Sequence, residues 1–344
     1  MKRNSHIAFS AGDKFRRFSC ALCCSGPIAC LLVLIMALLL ATPRSFAVAP
    51  GPGSVPFRFV HGFAVVVPVS VNGQGPYDFM LDTGSTITTL DSGLGQQLGL
   101  AAQGKGTVTT LTQSAPAPLA VASRVAIGPV TEENLVVMIR DLNGLHQIAP
   151  TARGVLGQNA LDHTDFLLDY KHKLIQFDID GEIGRSLGGR HVPLHRETVG
   201  NNSQYANLSV HGSVNDNGVR EMELLLDSGS ASLVLFAGVD SVGSGYAESF
   251  VADTAGHHLL AGIRDLQLVI DGKSREVPTH VLSMKKGGGP KIDGLLPTAI
   301  FSRIYISNRG GFAMFEPKQL KSSALSGAVA SLPSQGTAAH GGGF

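Results

Sequence analysis

The chain has 344 residues, of which 44% are hydrophobic and 15% charged, with 42 Gly, 17 Pro and no Trp. That balance excludes a disordered polymer, and short β-branched runs broken by Gly, Asn and Pro point to a turn-rich β protein with room for two ordinary cores. The formal net charge is +1, but six of the 27 Lys and Arg and one of the 26 acidic residues fall within residues 1–47, leaving 21 basic against 25 acidic residues and a net of −4. Such a body offers no nucleic-acid surface.

The chain opens as an address. Lys2, Arg3, Lys14, Arg16 and Arg17 precede an uncharged stretch, residues 18–43, whose centre LLVLIMALLLA is strongly apolar. A basic end followed by a greasy segment is the pattern of export. Ser45-Phe46-Ala47 and Ala47-Val48-Ala49 both fit a small-x-small cleavage site, and 26 uncharged residues also suffice to span a bilayer. Residues 1–49 therefore read as a signal peptide or a membrane anchor, and in either case the body is exported: periplasmic or secreted, or anchored to the membrane by an uncleaved segment. All four cysteines, Cys20, Cys23, Cys24 and Cys30, lie in this leader, so the exported body has no disulfide or thiol chemistry. Residues 50–57 read as a linker.

The body then repeats itself. FAVVVPVSVNGQGPYDFMLDTGS (63–85) and NLSVHGSVNDNGVREMELLLDSGS (207–230) both read as strand, Asn-Gly turn, strand, aspartate. Asn72 stands ten residues before Asp82, and Asn217 ten before Asp227, an offset of 145 for both features. Asn-Gly between alternating apolar runs is a strong hairpin signal, which puts each aspartate at the tip of the strand leaving the hairpin. Further on, RGVLGQNALDHTDFLLDYKHKLIQFD (153–178) parallels DGLLPTAIFSRIYISNRGGFAMFEP (293–317) at an offset of 140. Two copies of one β unit imply two lobes related by a pseudo-two-fold axis. The expected fold is all-β and bilobal: residues 58–190 form an N-terminal lobe, 191–203 a connection, 204–318 a C-terminal lobe and 319–344 a disordered tail.

A lone Asp-Thr-Gly or Asp-Ser-Gly is most simply a turn. Its recurrence at matched distances, each time after a run buried on both faces (Phe79-Met80-Leu81 and Leu224-Leu225-Leu226), requires more. Symmetry brings Asp82 and Asp227 face to face, where two carboxylates cannot both ionise cheaply and so hold one shared proton. One is then a base and the other an acid, and a water between them can attack an amide carbonyl. The neighbours suit such a dyad. Gly84 and Gly229 allow close approach and unusual φ/ψ, Thr83 and Ser228 offer hydroxyls to the opposite lobe, and Ser85 and Ser230 can donate to the outer carboxylate oxygens.

With Asp82-Thr83-Gly84-Ser85 and Asp227-Ser228-Gly229-Ser230 as paired signatures, and Gly154-Val155-Leu156-Gly157 and Gly294-Leu295-Leu296-Pro297 behind them, the chain resembles an aspartic peptidase over residues 58–317. It is most similar to the bacterial retropepsin-like branch, duplicated in one chain. The resemblance implies two pseudo-symmetric β-barrel-like lobes with a cleft between them, a polypeptide substrate, aspartic-type endopeptidase activity carried by Asp82 and Asp227, a monomer, and no cofactor or metal. Two features depart from the pattern. No Tyr lies between Tyr77 and Tyr170, where pepsin-like enzymes carry a flap tyrosine, so residues 104–118 are the expected flap; and Pro297 replaces the second-lobe Gly.

Other residues carry less. His191 and His195 stand four apart around Val-Pro-Leu, which is not helical, with no third ligand at a suitable spacing. His257-His258 reads as a solvated turn, Lys285-Lys286 as part of a flexible loop, and Gly104-Lys105-Gly106 lacks a phosphate-loop pattern. Sequons at Asn201 and Asn207 matter only in a glycosylating host. Two other readings stay open on residues alone: a catalytically inactive peptide-binding protein of the cell envelope, and a structural envelope protein acting through the Gly-rich tail.

Overall fold

The computed structural model describes residues 53–109, 114–198, 206–216, 218–237, 246–252, 256–283 and 292–318. The apolar leader, its cysteines, Lys285-Lys286 and the tail from residue 319 lie outside them. Among the described residues no helix is long and apolar enough to cross a membrane.

The chain is built from strands. The first half gives β1 (Ser54–Pro56), β2 (Arg58–Val60), β3 (Ala64–Val71), β4 (Gln74–Leu81), β5 (Thr89–Asp91), β6 (Gly104–Thr109), β7 (Ser114–Ile127), β8 (Val130–Arg140), β9 (Ala152–Leu156), β10 (Phe166–Asp169) and β11 (Leu174–Phe177). The second gives β12 (Val192–Pro193), β13 (His195–Thr198), β14 (Ala206–Asn215), β15 (Val219–Asp227), β16 (Leu233–Ala237), β17 (Ala247–Ala252), β18 (His258–Ile270), β19 (Lys273–Ser283), β20 (Gly294–Pro297), β21 (Phe301–Ser307) and β22 (Phe312–Pro317).

The duplication read from the sequence is a duplication of topology. One eight-stranded sheet runs β2-β3-β4-β9-β5-β8-β7-β6 and the other β13-β14-β15-β20-β16-β19-β18-β17, with β3–β7 and β14–β18 folding each sheet back on itself. The strand senses match as well: β4 with β9 and β15 with β20 are parallel, as are β5 with β8 and β16 with β19. In the first hairpin, Asn72 and Gly73 take φ of 52° and 75°, the left-handed pair that a two-residue turn matching the sheet's twist demands. In the second, Asn215 lies opposite Val219; Asn217 itself is outside the described residues.

A third sheet, β1-β11-β10-β21-β22-β12, combines strands of both halves. Its centre is β10 against β21, where Phe166 faces Ile306 and Asp169 faces Arg303. This sheet corrects two expected boundaries. Residues 54–56 are not linker, because Val55 and Phe57 are apolar enough to be buried at 4% and 5% exposure and β1 pairs with β11. Residues 191–203 are not a bare connection either, since β12 pairs with β22 and β13 with β14. His258, expected in a turn, opens β18 and lies opposite Ala252.

The apolar runs before each aspartate are explained by what covers them. Phe79 and Leu81 pack into the main core while Met80 packs with Ala64, Val66, Leu145 and Val155 on the other face. Leu224 and Leu226 join the main core, and Leu225 packs with Val234, Ala261, Leu282 and Leu295. With both faces of these three-residue runs occupied, the next polar side chain comes where the strand ends, at Asp82 and Asp227.

Candidate active site

The two strand tips meet between the lobes. A Cβ placed on Gly84 would stand 2.8 Å from Asp227 Cγ, and one on Gly229 would stand 2.9 Å from Asp82 Cγ. Each carboxyl group therefore lies over the glycine of the opposite loop, and any larger residue would displace it. Neither glycine has a positive φ. What these positions need is space, and the unusual φ/ψ expected of them is not used.

The loops are locked by four crossed hydrogen bonds. Thr83 N–H donates to Ser228 Oγ at 3.0 Å and Ser228 N–H to Thr83 Oγ1 at 3.1 Å. The hydroxyls then donate onward: Thr83 Oγ1 to the Leu226 carbonyl and Ser228 Oγ to the Leu81 carbonyl, each at 2.8 Å. Both hydroxyls are fully buried, so each bond forms where water cannot compete.

The symmetry stops at the carboxylates. Asp82 accepts from Gly84 N–H at 2.9 Å, Ser85 N–H at 3.2 Å and Ser85 Oγ at 2.8 Å. Asp227 accepts from Gly229 N–H at 2.8 Å and from Ser230 N–H, and it hydrogen-bonds to Asp82. The Ser230 hydroxyl, expected to mirror Ser85, donates instead to the Ser232 carbonyl at 2.8 Å. Burial, reinforced by the neighbouring Asp82 charge, raises the Asp227 pKa well above the usual carboxylate range. Three donors converge on Asp82 and the hydroxyl donor is missing at Asp227, an asymmetry that favours Asp227 as the holder of a proton shared by the pair. Each residue keeps 8% of its surface exposed, leaving the pair reachable from outside.

The segments behind the two loops differ in a compensated way. Gly157 admits no side chain, for a Cβ would meet Ile87 backbone at 2.6 Å and Ser85 O at 2.9 Å. Its N–H donates to Thr88 Oγ1 at 3.1 Å, and Asn159 Oδ1 accepts from Thr88 N–H and Oγ1 at 2.7 and 2.9 Å. At the same offsets the second lobe has Pro297, Leu233 and Ala299. A residue without an N–H thus faces one without a hydroxyl, and the polar cluster is replaced by an apolar one. Pro297, at φ −67°, stays in register with Asp227, so it does not distort the loop.

Several supporting residues have no signature in the sequence. Tyr170 O–H and Thr298 Oγ1 lie 2.5 Å apart behind Asp227, and burial raises the phenol's pKa. His280 joins Ser232 Oγ, at 2.7 Å from Nδ1, to Ser249 Oγ, at 3.0 Å from Nε2, and burial lowers its pKa. This chain ties the Asp227 loop to β17. The expected flap, residues 104–118, forms the β6–β7 hairpin, with Gly104 opposite Leu119 and Thr109 opposite Ser114; residues 110–113 are not described.

The fold and the paired loops define an all-β protein of the bilobal aspartic-protease-like type. A family model for aspartyl protease matches residues 67–160, from β3 through the Asp82 loop to the short turn behind it. Residues 67–160 are thus similar to aspartyl proteases, and the match supports an aspartic-type peptidase in general. It stops short of Asp227. No curated protein matches the chain.

Proposed function

We propose that the protein is an aspartic-type endopeptidase in which Asp82 and Asp227 act on one water. The observation that carries this reading is the mutual approach of two buried carboxyl groups, one supplied with a hydroxyl donor and the other without. Asp82, as carboxylate, takes a proton from the water while Asp227 donates its proton to the carbonyl oxygen of the scissile amide. A tetrahedral diol forms. Asp82 then gives its proton to the leaving nitrogen while Asp227 takes one back from a diol hydroxyl, so the C–N bond breaks, a carboxylic acid and an amine form, and the pair returns to its starting state, with no metal and no covalent intermediate. Thr83 and Ser228 hold the two loops in place, and Ser85 keeps the charge on Asp82. The substrate is an extended polypeptide lying between the lobes, with the β6–β7 hairpin as the covering flap, and the enzyme works as a monomer.

The N-terminal segment suits delivery outside the cytoplasm, with residues 18–43 either removed or retained as an anchor. Reading the mature N-terminus by mass spectrometry distinguishes these. The function is tested by incubating the protein with a mixture of unstructured peptides across acid to neutral pH and identifying products. Cleavage is expected from the wild type and is lost in Asp82→Asn and in Asp227→Asn. Peptide capture without products at any pH supports the binding-only reading instead.

A further inference from the structure

In the middle of β15, four residues before Asp227, side chains from three neighbouring strands of the second sheet meet: His195 on β13, His211 on β14 and Glu223 on β15. The antiparallel register arranges this. His211 lies directly opposite Glu223, and Ser209, two residues before His211 on the same face, lies opposite His195. Both imidazole Nδ1 atoms approach the same carboxylate oxygen, Glu223 Oε2, at 3.1 Å for His195 and 2.9 Å for His211. One ligand atom from each residue lies within 4.8 Å of the other two. The rings stand 4.2 Å apart at 86° to each other, so they converge on one point and do not stack.

The two nitrogen–oxygen separations are close to those around a small tetrahedral ion. Ligand atoms bonded at about 2.0–2.1 Å stand roughly 3.3 Å apart from one another. The surroundings fix the carboxylate: Ser209 Oγ donates to Glu223 Oε1, which leaves Oε2 for the imidazoles, and Glu223 N–H donates to Asp293 Oδ2 at 2.8 Å. Partners of this kind orient a ligand before any ion arrives, and ligands on paired strands are held more tightly than ligands on loops. The histidine side chains are 44% and 65% exposed, leaving open positions for water.

We propose that His195, His211 and Glu223 form a binding site for a zinc-class divalent transition-metal ion, separate from the aspartate pair. Two imidazoles with one carboxylate suit zinc, nickel or copper(II), and do not suit calcium or magnesium, which take oxygen ligands throughout. The site's consequence follows from β13. That strand carries the chain from the shared sheet into the second lobe, and Arg196 beside His195 is paired with Asp162 of the first half at 2.5 and 3.1 Å. An ion at His195 fastens β13 to β14 and β15 and so fixes the joint between the halves.

The test is a titration of the full chain with Zn²⁺ by calorimetry and with Co²⁺ by visible absorption, for the wild type, Asp82→Asn, His195→Asn and His211→Asn. The wild type and Asp82→Asn are expected to take up one equivalent with a rise in melting temperature. Each histidine variant is expected to bind at least about tenfold more weakly and to lose both the Co²⁺ spectrum and the metal-dependent rise, while melting like the wild type without metal. The two histidine variants are independent, so misfolding of one leaves the other to decide. Equal affinity in the histidine variants, loss of binding in Asp82→Asn, or no uptake by the wild type at micromolar metal overturns the proposal and leaves a hydrogen-bonded His-Glu-His trio.

Discussion

Replacing Asp227 by Asn should change how stability depends on pH, in a direction fixed by burial. In the folded wild type the pair holds a proton on Asp227 that the unfolded chain has released by about pH 5. The native state therefore binds one more proton than the unfolded state, and stability falls as pH rises, by about 1.4 kcal/mol per pH unit, until Asp227 ionises in the fold. Asparagine binds no proton in either state and removes that slope, while keeping the size of the side chain and a donor toward Asp82. The stability of Asp227→Asn relative to wild type is thus expected to improve as pH rises from 5 to 6, by up to about 1 kcal/mol. For a protein of this size that is roughly 2 °C in melting temperature. Urea unfolding at the two pH values measures it, and the change between them is the readout, because any change in the strength of the contact with Asp82 shifts both values equally. A difference that is the same at pH 5 and pH 6 refutes the claim that the buried pair carries an extra proton.

Two further substitutions test the parts that hold the pair. Thr83→Val keeps the shape but strands the Leu226 carbonyl and the Ser228 N–H, both buried, at a cost of about 2–5 kcal/mol in unfolding free energy, with peptide turnover falling as the loops lose alignment. Gly157→Ala forces a Cβ against the Ile87 backbone and is expected to destabilise by more than about 1 kcal/mol, whereas Pro297→Gly, where no N–H is awaited, should cost only about 0.4–1 kcal/mol through chain entropy and leave hydrolysis intact. Thermal melts of the two variants side by side check the contrast.

Much of this architecture is legible because it is written twice. The Asn-Gly turn, the doubly buried run and the terminal aspartate recur at one offset, and physical pressure on both copies is the same: apolar on both faces, polar only at the tip. Where the copies diverge, pattern is a weaker guide. Ser85 and Ser230 occupy equivalent positions, yet Ser230 turns to the Ser232 carbonyl because its loop continues into a different chain of partners through His280. Pro297 is disruptive only when read alone; beside Leu233 and Ala299 it is harmless, a compensation visible only after both offsets are applied. The shared sheet joins strands far apart in sequence, so nothing local marks β1 as more than linker or β12 and β13 as more than connection. His195 pairs in sequence with His191, four residues away. In the fold His191 stacks on Phe312, with centroids 3.7 Å apart, and His195 meets partners set by strand register, which local spacing does not encode.

The central claim is that one aspartate is charged while its partner is neutral, and the pH profile of kcat/KM on a cleaved peptide tests it most directly. A bell is expected, falling on the acid side as the pair takes up a second proton and on the alkaline side as it loses the only one, with no measurable turnover in Asp82→Asn or Asp227→Asn. A profile that is flat across this range, or turnover that survives in either variant, contradicts it.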